Sequence, residues 1–278
     1  MDSSAGRMAV AFTVEDLQYH YPSQDGLILR GLTFTIPLGS KVAIFGRSGV
    51  GKSTLLSILG LLWEGELASG RVCYHSLDHG LPWDYRQLTS PEIRASLRLR
   101  EFGFVFQWSG LLPHLTCEEN VALPLILQGW PTSKWRPRVR RLLKLAEHSP
   151  GELSELANRL GPFSGGQQRR LALIRGLSHN PPVLFADEPF SNLDSRSVEA
   201  VLRLLASWHM GELFPEDPPA PRTLLLASHD IEEAWQLCDH FLILTPEGTL
   251  ADQRILPKTD LSLDRVKELI DRPSVCHT

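Results

Sequence analysis

The chain has 278 residues, 42% hydrophobic and 22% charged, a composition that excludes a disordered polymer and allows one large domain or a core with a subdomain. A net charge of −4 argues against a dedicated nucleic-acid binder, whose phosphate contacts leave a basic excess. No run approaches the ~20 apolar residues of a spanning helix, the first residues lack a signal-peptide core, and Cys73, Cys117, Cys238 and Cys276 form no C-x-x-C pair for zinc or thiol exchange. The scattered cysteines read as reduced, buried thiols of a cytosolic protein.

From about Ala9 to Gly46 the pattern predicts strands, AVAFTVEDLQYHY, LRGLTFTIPLG and the short apolar KVAIFG. GRSGVGKST then fits G-x-x-x-x-G-K-[ST] between an apolar strand and a helix predicted over Lys52 to Trp63. In such a loop, here Gly46, Arg47, Ser48, Gly49, Val50, Gly51, Lys52, Ser53 and Thr54, glycines let backbone N–H groups close around phosphates. Lys52 reaches the β and γ oxygens, and the Ser53 hydroxyl ligates Mg²⁺. About Thr116 to Leu160 favours helix, with Pro124, Pro131 and Pro137 as expected breaks, and reads as an inserted helical subdomain. Within it the basic run Lys134 to Lys144 reads as a solvated helix face.

PFSGGQQRR, Pro162 to Arg170, opens the helix-like run LALIRGL without a base, metal ligand or nucleophile. A serine and two glycines at a helix start make an anion cradle, because free N–H groups and the helix dipole point at whatever docks there. The chain thus carries two cradles. Strand and helix then alternate through PVLFAD, a helix from about Ser195, TLLLAS, a helix from about Asp230 and HFLILT, the pattern of parallel strands covered on both faces. PVLFADEP delivers Asp187 to a strand's C-terminal end, where a carboxylate holds the Mg²⁺ water shell, and Glu188 follows where it can orient or deprotonate an attacking water. Glu212 to Thr223 is a proline-rich stiff connector, and Val266, Leu269 and Ile270 have the spacing of a docked terminal helix.

In this order and spacing the motifs resemble those of ATP-binding cassette (ABC) ATPases, over about Ala9 to Leu250. By that resemblance Tyr21 is the aromatic that stacks on adenine, although Tyr19 alternates with it along the strand and only one can face the base. Gln107 in GFVFQ is the Q-loop glutamine and a magnesium ligand with Ser53 and Asp187. Ser164, Gly165, Gly166 and Gln167 form the signature that completes a partner's ATP site, Asp194 in SNLD belongs to the D-loop, and His229 is the switch histidine. Phe163 stands where the signature usually has Leu, and Phe190 and Ser191 replace the commoner Thr and Gly. Trp108 is open to two readings, a core tryptophan or a contact residue for a membrane partner.

The resemblance implies an α/β fold, a P-loop NTPase core with a mostly parallel sheet, an antiparallel β subdomain and an inserted α-helical subdomain. A single ABC domain spans 1–278: about 9–107 and 162–250 for the core with its β subdomain, about 108–161 for the helical subdomain and 251–278 for a tail. It further implies an ATPase using ATP and Mg²⁺, with Glu188, His229, Gln107 and Lys52 catalytic. Its partners are a second ATPase subunit and integral-membrane permease subunits, with no nucleic acid and no span of its own, at the cytoplasmic face of the inner or plasma membrane. The runs FGFVFQWSGLLPHLTCEENVALPL and LFADEPFSNLD look most like the lipoprotein-release, macrolide-export and FtsE group, with polar amino-acid importers as runner-up. Two functional classes follow, a transport ATPase and an FtsE-like signalling clamp that moves nothing across the bilayer.

Overall fold

The computed structural model describes residues 9–23, 26–63, 67–77, 80–147, 150–252 and 254–271; Cys276 lies outside them. In chain order the elements are β1 (Val10–Tyr19), β2 (Leu29–Pro37), β3 (Lys41–Phe45), α1 (Lys52–Leu59), β4 (Ser69–Tyr74), β5 (Trp83–Asp84), α2 (Pro91–Glu101), β6 (Phe102–Val105) and α3 (Cys117–Leu127). There follow α4 (Thr132–Leu145), α5 (Gly165–Leu177), β7 (Val183–Asp187), α6 (Ser195–His209), β8 (Thr223–Ala227), α7 (Ile231–Leu237), β9 (His240–Ile243), β10 (Leu256–Pro257) and α8 (Leu263–Asp271). They divide into two compact units, residues 1–94 with 238–278, and residues 95–237.

The first unit holds an antiparallel sheet in the order β2-β1-β4-β5. Along β2, Leu32, Phe34 and Ile36 are buried while Thr33 and Thr35 are exposed, the period-two alternation of a sheet with one covered face. In the same unit β3 pairs parallel with β9, Val42 opposite His240 and Ile44 opposite Leu242, and β10 pairs antiparallel with β9. Residues Val42 to Phe45 are all buried, as a parallel strand covered on both faces requires. Helix α1 stops at Leu59 rather than Trp63, because Gly60 and the left-handed Leu61 (φ 60°) close it and the Tyr85 hydroxyl donates to the Leu59 carbonyl at 2.5 Å. On α8, Val266 and Leu269 are buried.

In the second unit β6, β7 and β8 run parallel, with Phe104 opposite Phe185 and Phe185 opposite Leu225. Helix α3 opens on a capping box, the Glu119 N–H donating to Thr116 Oγ1 at 3.2 Å and the Thr116 N–H to the Glu119 carboxylate at 2.9 Å. Only Pro131 punctuates as expected, at the N-cap of α4. Pro124 and Pro137 lie inside α3 and α4, where burial of Val121 and Leu125, and of Val139, Leu142 and Leu143, holds the helix through the missing hydrogen bond. Cys73, Cys117 and Cys238 are buried, and desolvation pushes the Cys117 thiol up to about 12, so it stays protonated and unreactive.

The basic run on α4 is solvated at Lys134, Arg136, Arg140 and Lys144, as expected, but Arg138 is buried and the exposed arginines are paired. Arg136 and Arg140 both bond the Glu118 carboxylate, at 2.9 and 2.6 Å, although Glu118 is only 2% exposed. Arg138 is buried, stacks over Phe214 at 3.6 Å, and donates to the Ser178 carbonyl and to Asp217 at 2.8 and 2.7 Å; Arg141 pairs with Glu216 at 2.6 Å. The proline-rich connector is thus anchored to α4 by charge, and Asn180 adds a bond to Asp217 at 2.8 Å. Burial alone would raise the Asp217 carboxyl; the forked bond and charge of Arg138 more than reverse that and hold it below the usual carboxylate range.

Replacing Arg138 with Met strands this acid, and the unfolding free energy should fall by about 3 kcal/mol at neutral pH in urea titrations. Because the folded pKa of Asp217 is depressed, its contribution is present above the unfolded value of about 4 and lost as pH falls through the folded one. The gap between Arg138→Met and the parent should therefore narrow in acid.

Candidate functional site

In the first unit the turn from β3 into α1 is built by backbone that side chains tolerate poorly. Gly46 has φ 151°, and a Cβ there would meet the Leu244 carbonyl at 2.7 Å; Gly51, at φ 103°, would press a Cβ onto Leu29 at 2.8 Å. Lys52 is buried and donates from Nζ to the Gly46 and Arg47 carbonyls at 2.9 and 3.1 Å, which folds its charge across the loop. Arg47, Ser48, Gly49 and Ser53 are exposed, Val50 and Thr54 buried, and no side chain caps the start of α1. Arg47 also donates to the Asp271 carbonyl at 2.9 Å, which ties the loop to the end of α8. The two tyrosines separate: Tyr19 is in the core, whereas Tyr21 is part-exposed, edge-on to Tyr19, with its hydroxyl 3.1 Å from Thr54 Oγ1.

In the second unit Asp187 ends β7 half-buried, and the next residue, Glu188, takes a left-handed backbone (φ 51°) that costs energy for any residue with a Cβ. The strain is fixed by the Glu188 N–H bonding the Ala227 carbonyl at 2.8 Å. It aims the carboxylate at the chain after β8: Glu188 Oε2 lies 2.6 Å from His229 Nδ1 and accepts the His229 N–H at 3.2 Å. On its other side His229 Nε2 is 3.5 Å from Asp230. Ligand atoms of Glu188, His229 and Asp230 lie within 4.8 Å of one another, so this trio has cation-holding proximity among the described residues, a set different from Ser53, Gln107 and Asp187.

Ser164 is the N-cap of α5, and its box is closed: the Gln167 N–H donates to Ser164 Oγ at 3.3 Å, and the Ser164 N–H to Gln167 Oε1 at 3.0 Å. Ser164 and Gly165 are exposed, Gly166 half-exposed. Asp194 likewise caps α6, accepting from the Ser197 N–H at 2.9 Å. Gln107 and Trp108 are exposed, Trp108 at 74%, which removes its reading as a core residue. Beneath them Arg169 donates to the Phe106 carbonyl and to Ser191 Oγ at 2.6 and 2.7 Å. Burial lowers the pKa of its guanidinium, against the opposing charges of Glu188 and Asp187.

The glycine turn into α1, the strand-end Asp187 and Glu188, and the capped start of α5 all fall within residues 29–191, which the family profile described as ABC transporter matches. The chain belongs to the ABC transporter ATP-binding family. A lipoprotein-releasing system ATP-binding protein LolD from Nitratidesulfovibrio vulgaris is 39% identical over 192 residues, 68% of this chain and 75% of the relative. A macrolide export ATP-binding/permease protein MacB from Syntrophobacter fumaroxidans is 39% identical over 212 residues, 76% of this chain and 27% of the relative, so the chain spans about a quarter of that protein. Among solved structures, a dimeric post-hydrolysis ATP-binding cassette bound to ADP and Pi matches with a TM-score of 0.73 at 29% identity, covering 89% of this chain and 98% of that one. The fold is the ABC cassette, and the chain is an ATPase subunit of that family.

Neither Asp230 nor the arginines Arg169, Arg170 and Arg175 carries a role legible in the sequence. Arg170 pairs with Glu152 and donates to Ser197 Oγ at 3.1 Å, so α5 is anchored along its length by cations whose partners are far away in sequence. The cap itself is testable. Ser164→Ala should cost about 1 kcal/mol of stability, whereas Ser164→Asp, which still accepts the Gln167 N–H, should cost a few tenths at most, as read by chemical denaturation.

Proposed function

We propose that this chain is the ATP-hydrolysing subunit of a lipoprotein-release or macrolide-export type of transporter, acting as a pair around two ATP molecules and driving separate permease subunits from the cytoplasmic face of the membrane. The observation that carries the hydrolytic part is the Glu188 carboxylate held by His229 one residue past Asp187. In this reading Gly46 to Thr54 grip the triphosphate with Lys52 on its terminal oxygens, and Tyr21 packs on the base. Glu188 takes the proton of the attacking water while His229 and Gln107 orient it.

The oxygen donors Ser53, Gln107 and Asp187 suit Mg²⁺, a hard ion, better than the imidazole-containing trio does. When bound, Mg²⁺ neutralises charge developing on the phosphates. Ser164, Gly165, Gly166, Gln167 and Asp194 are assigned to the partner's nucleotide, a role supported by the exposure of Ser164 and Gly165. Such a second cradle has no need of a base, because the chemistry comes from the other subunit. The dimeric state of the solved neighbour supports the pairing.

Residues 108–161 are taken as the subdomain that meets the permease. Support comes from an apolar groove of about 460 Å³ between its helix α3, which supplies Leu123 and Leu127, and Leu99, Phe104 and Phe106 of the preceding segment; Leu127 is 62% exposed. No helix among the described residues is long and apolar enough to cross a membrane. A cytoplasmic helix of the permease, apolar on one face, fits this groove.

Glu188→Gln should lower phosphate release by about 10²–10⁴-fold while leaving ATP binding intact and ATP-dependent dimers long-lived in gel filtration. Undiminished release would reject Glu188 as the base. Leu127→Glu should abolish co-purification with the permease without affecting ATP-dependent dimers; retained co-purification would place the permease elsewhere.

A further inference from the structure

The five residues that lead out of β6, Phe106 to Gly110, are tied to α5 at both ends. At the near end Arg169 donates to the Phe106 carbonyl at 2.6 Å. At the far end Arg175 donates to the Ser109 and Gly110 carbonyls at 2.6 and 2.7 Å, and the Ser109 hydroxyl donates to Gln168 Oε1 at 3.1 Å. Gln168 in turn donates to the Phe163 carbonyl at 2.9 Å, just ahead of the Ser164 cap. The other fork of Arg169 reaches Ser191, whose hydroxyl donates to the Glu188 carbonyl at 3.0 Å. Between the two ties stand Gln107 and Trp108, both exposed. The Trp108 ring folds back on Gly110, where an added Cβ would sit 3.1 Å from it.

Three charge-assisted bonds from two arginines reach the carbonyls of Phe106, Ser109 and Gly110, the first and the last two of the five residues, and all the donors lie on one helix. We infer that Arg169 and Arg175 are positioning residues that clamp both ends of the loop, so that Gln107 and Trp108 form a rigid tip moving as one body with α5. A displacement of the Ser164 end of α5 then appears at the tip as a displacement of similar size, because no slack remains in the loop to absorb it. The clamp stands on these hydrogen bonds alone; its use in coupling nucleotide to the permease rests on the function proposed above.

The test is ¹⁹F NMR of the full chain labelled with 5-fluorotryptophan, which gives one line for each of its seven tryptophans, with Trp108→Phe assigning the relevant one. Without nucleotide, the Trp108 line of the parent should be displaced from its position in denaturant. In Arg169→Met and Arg175→Met it should move toward that position or broaden while the other six lines hold, and Arg175→Lys, which retains one donor direction, should restore part of the displacement. An unchanged Trp108 line in both Met variants overturns the clamp. Should those variants lose all seven folded lines, Ser109→Ala decides: it removes only the hydroxyl tie to Gln168, and a Trp108 line that fails to move there also overturns the clamp. Adding ATP with Mg²⁺ separates the two readings, since a parent Trp108 line indifferent to nucleotide counts against the proposed function while the nucleotide-free comparison still decides the clamp.

Discussion

The guanidinium of Arg169 is the junction on which the second unit is organised. It sits among loops leaving β6 and β7, bonding a carbonyl of one and a hydroxyl of the other, while its own backbone belongs to α5. A buried cation is costly unless its donors are matched, and here the matching acceptors, together with the field of Asp187 and Glu188, supply that match. The loops leaving β6 and β7 are therefore held to one another through a charge as well as through whatever apolar packing they make. That suits a site that must stay open to solvent on one side.

The starts of α1 and α5 solve the problem of unpaired N–H groups in opposite ways. Helix α5 closes its own first turn with the Ser164 and Gln167 box, so it holds its shape whatever docks on it. Helix α1 has no side-chain cap and is entered through the left-handed Gly51, the arrangement in which an anion is the natural cap. Its lysine meanwhile rests on the loop's own carbonyls. One helix start is thus self-sufficient and the other leaves its first N–H groups uncapped by any side chain, a difference of two side chains.

Much of this was legible in the sequence where function depends on particular side chains at particular spacings. The glycine-lysine loop, the strand-end Asp187 and Glu188, the buried parallel strands and the antiparallel sheet all carry composition or period signals. The ties of Arg169 and Arg175 carried none, because their acceptors are backbone carbonyls some sixty residues away that every sequence supplies. The left-handed turn at Glu188 was equally invisible, since a glutamate gives no sign that its backbone will be forced positive by the bond to Ala227. Pro124 and Pro137 do not break their helices, because a local penalty loses to the burial of the apolar faces around them. The α4 charge run was visible, but its partners lay in segments that nothing in the local pattern connected to it.

Those partners change what the proline-rich segment after α6 is. Glu216 and Asp217 neutralise Arg138 and Arg141, and Glu118 neutralises Arg136 and Arg140, so the segment and the helix form one electrical unit spread over about eighty residues of chain. Loss of the acidic segment alone would leave the buried Arg138 without its carboxylate partners. A chimera that exchanges the helical region with a relative must therefore carry the proline-rich segment with it, however peripheral that loop looks.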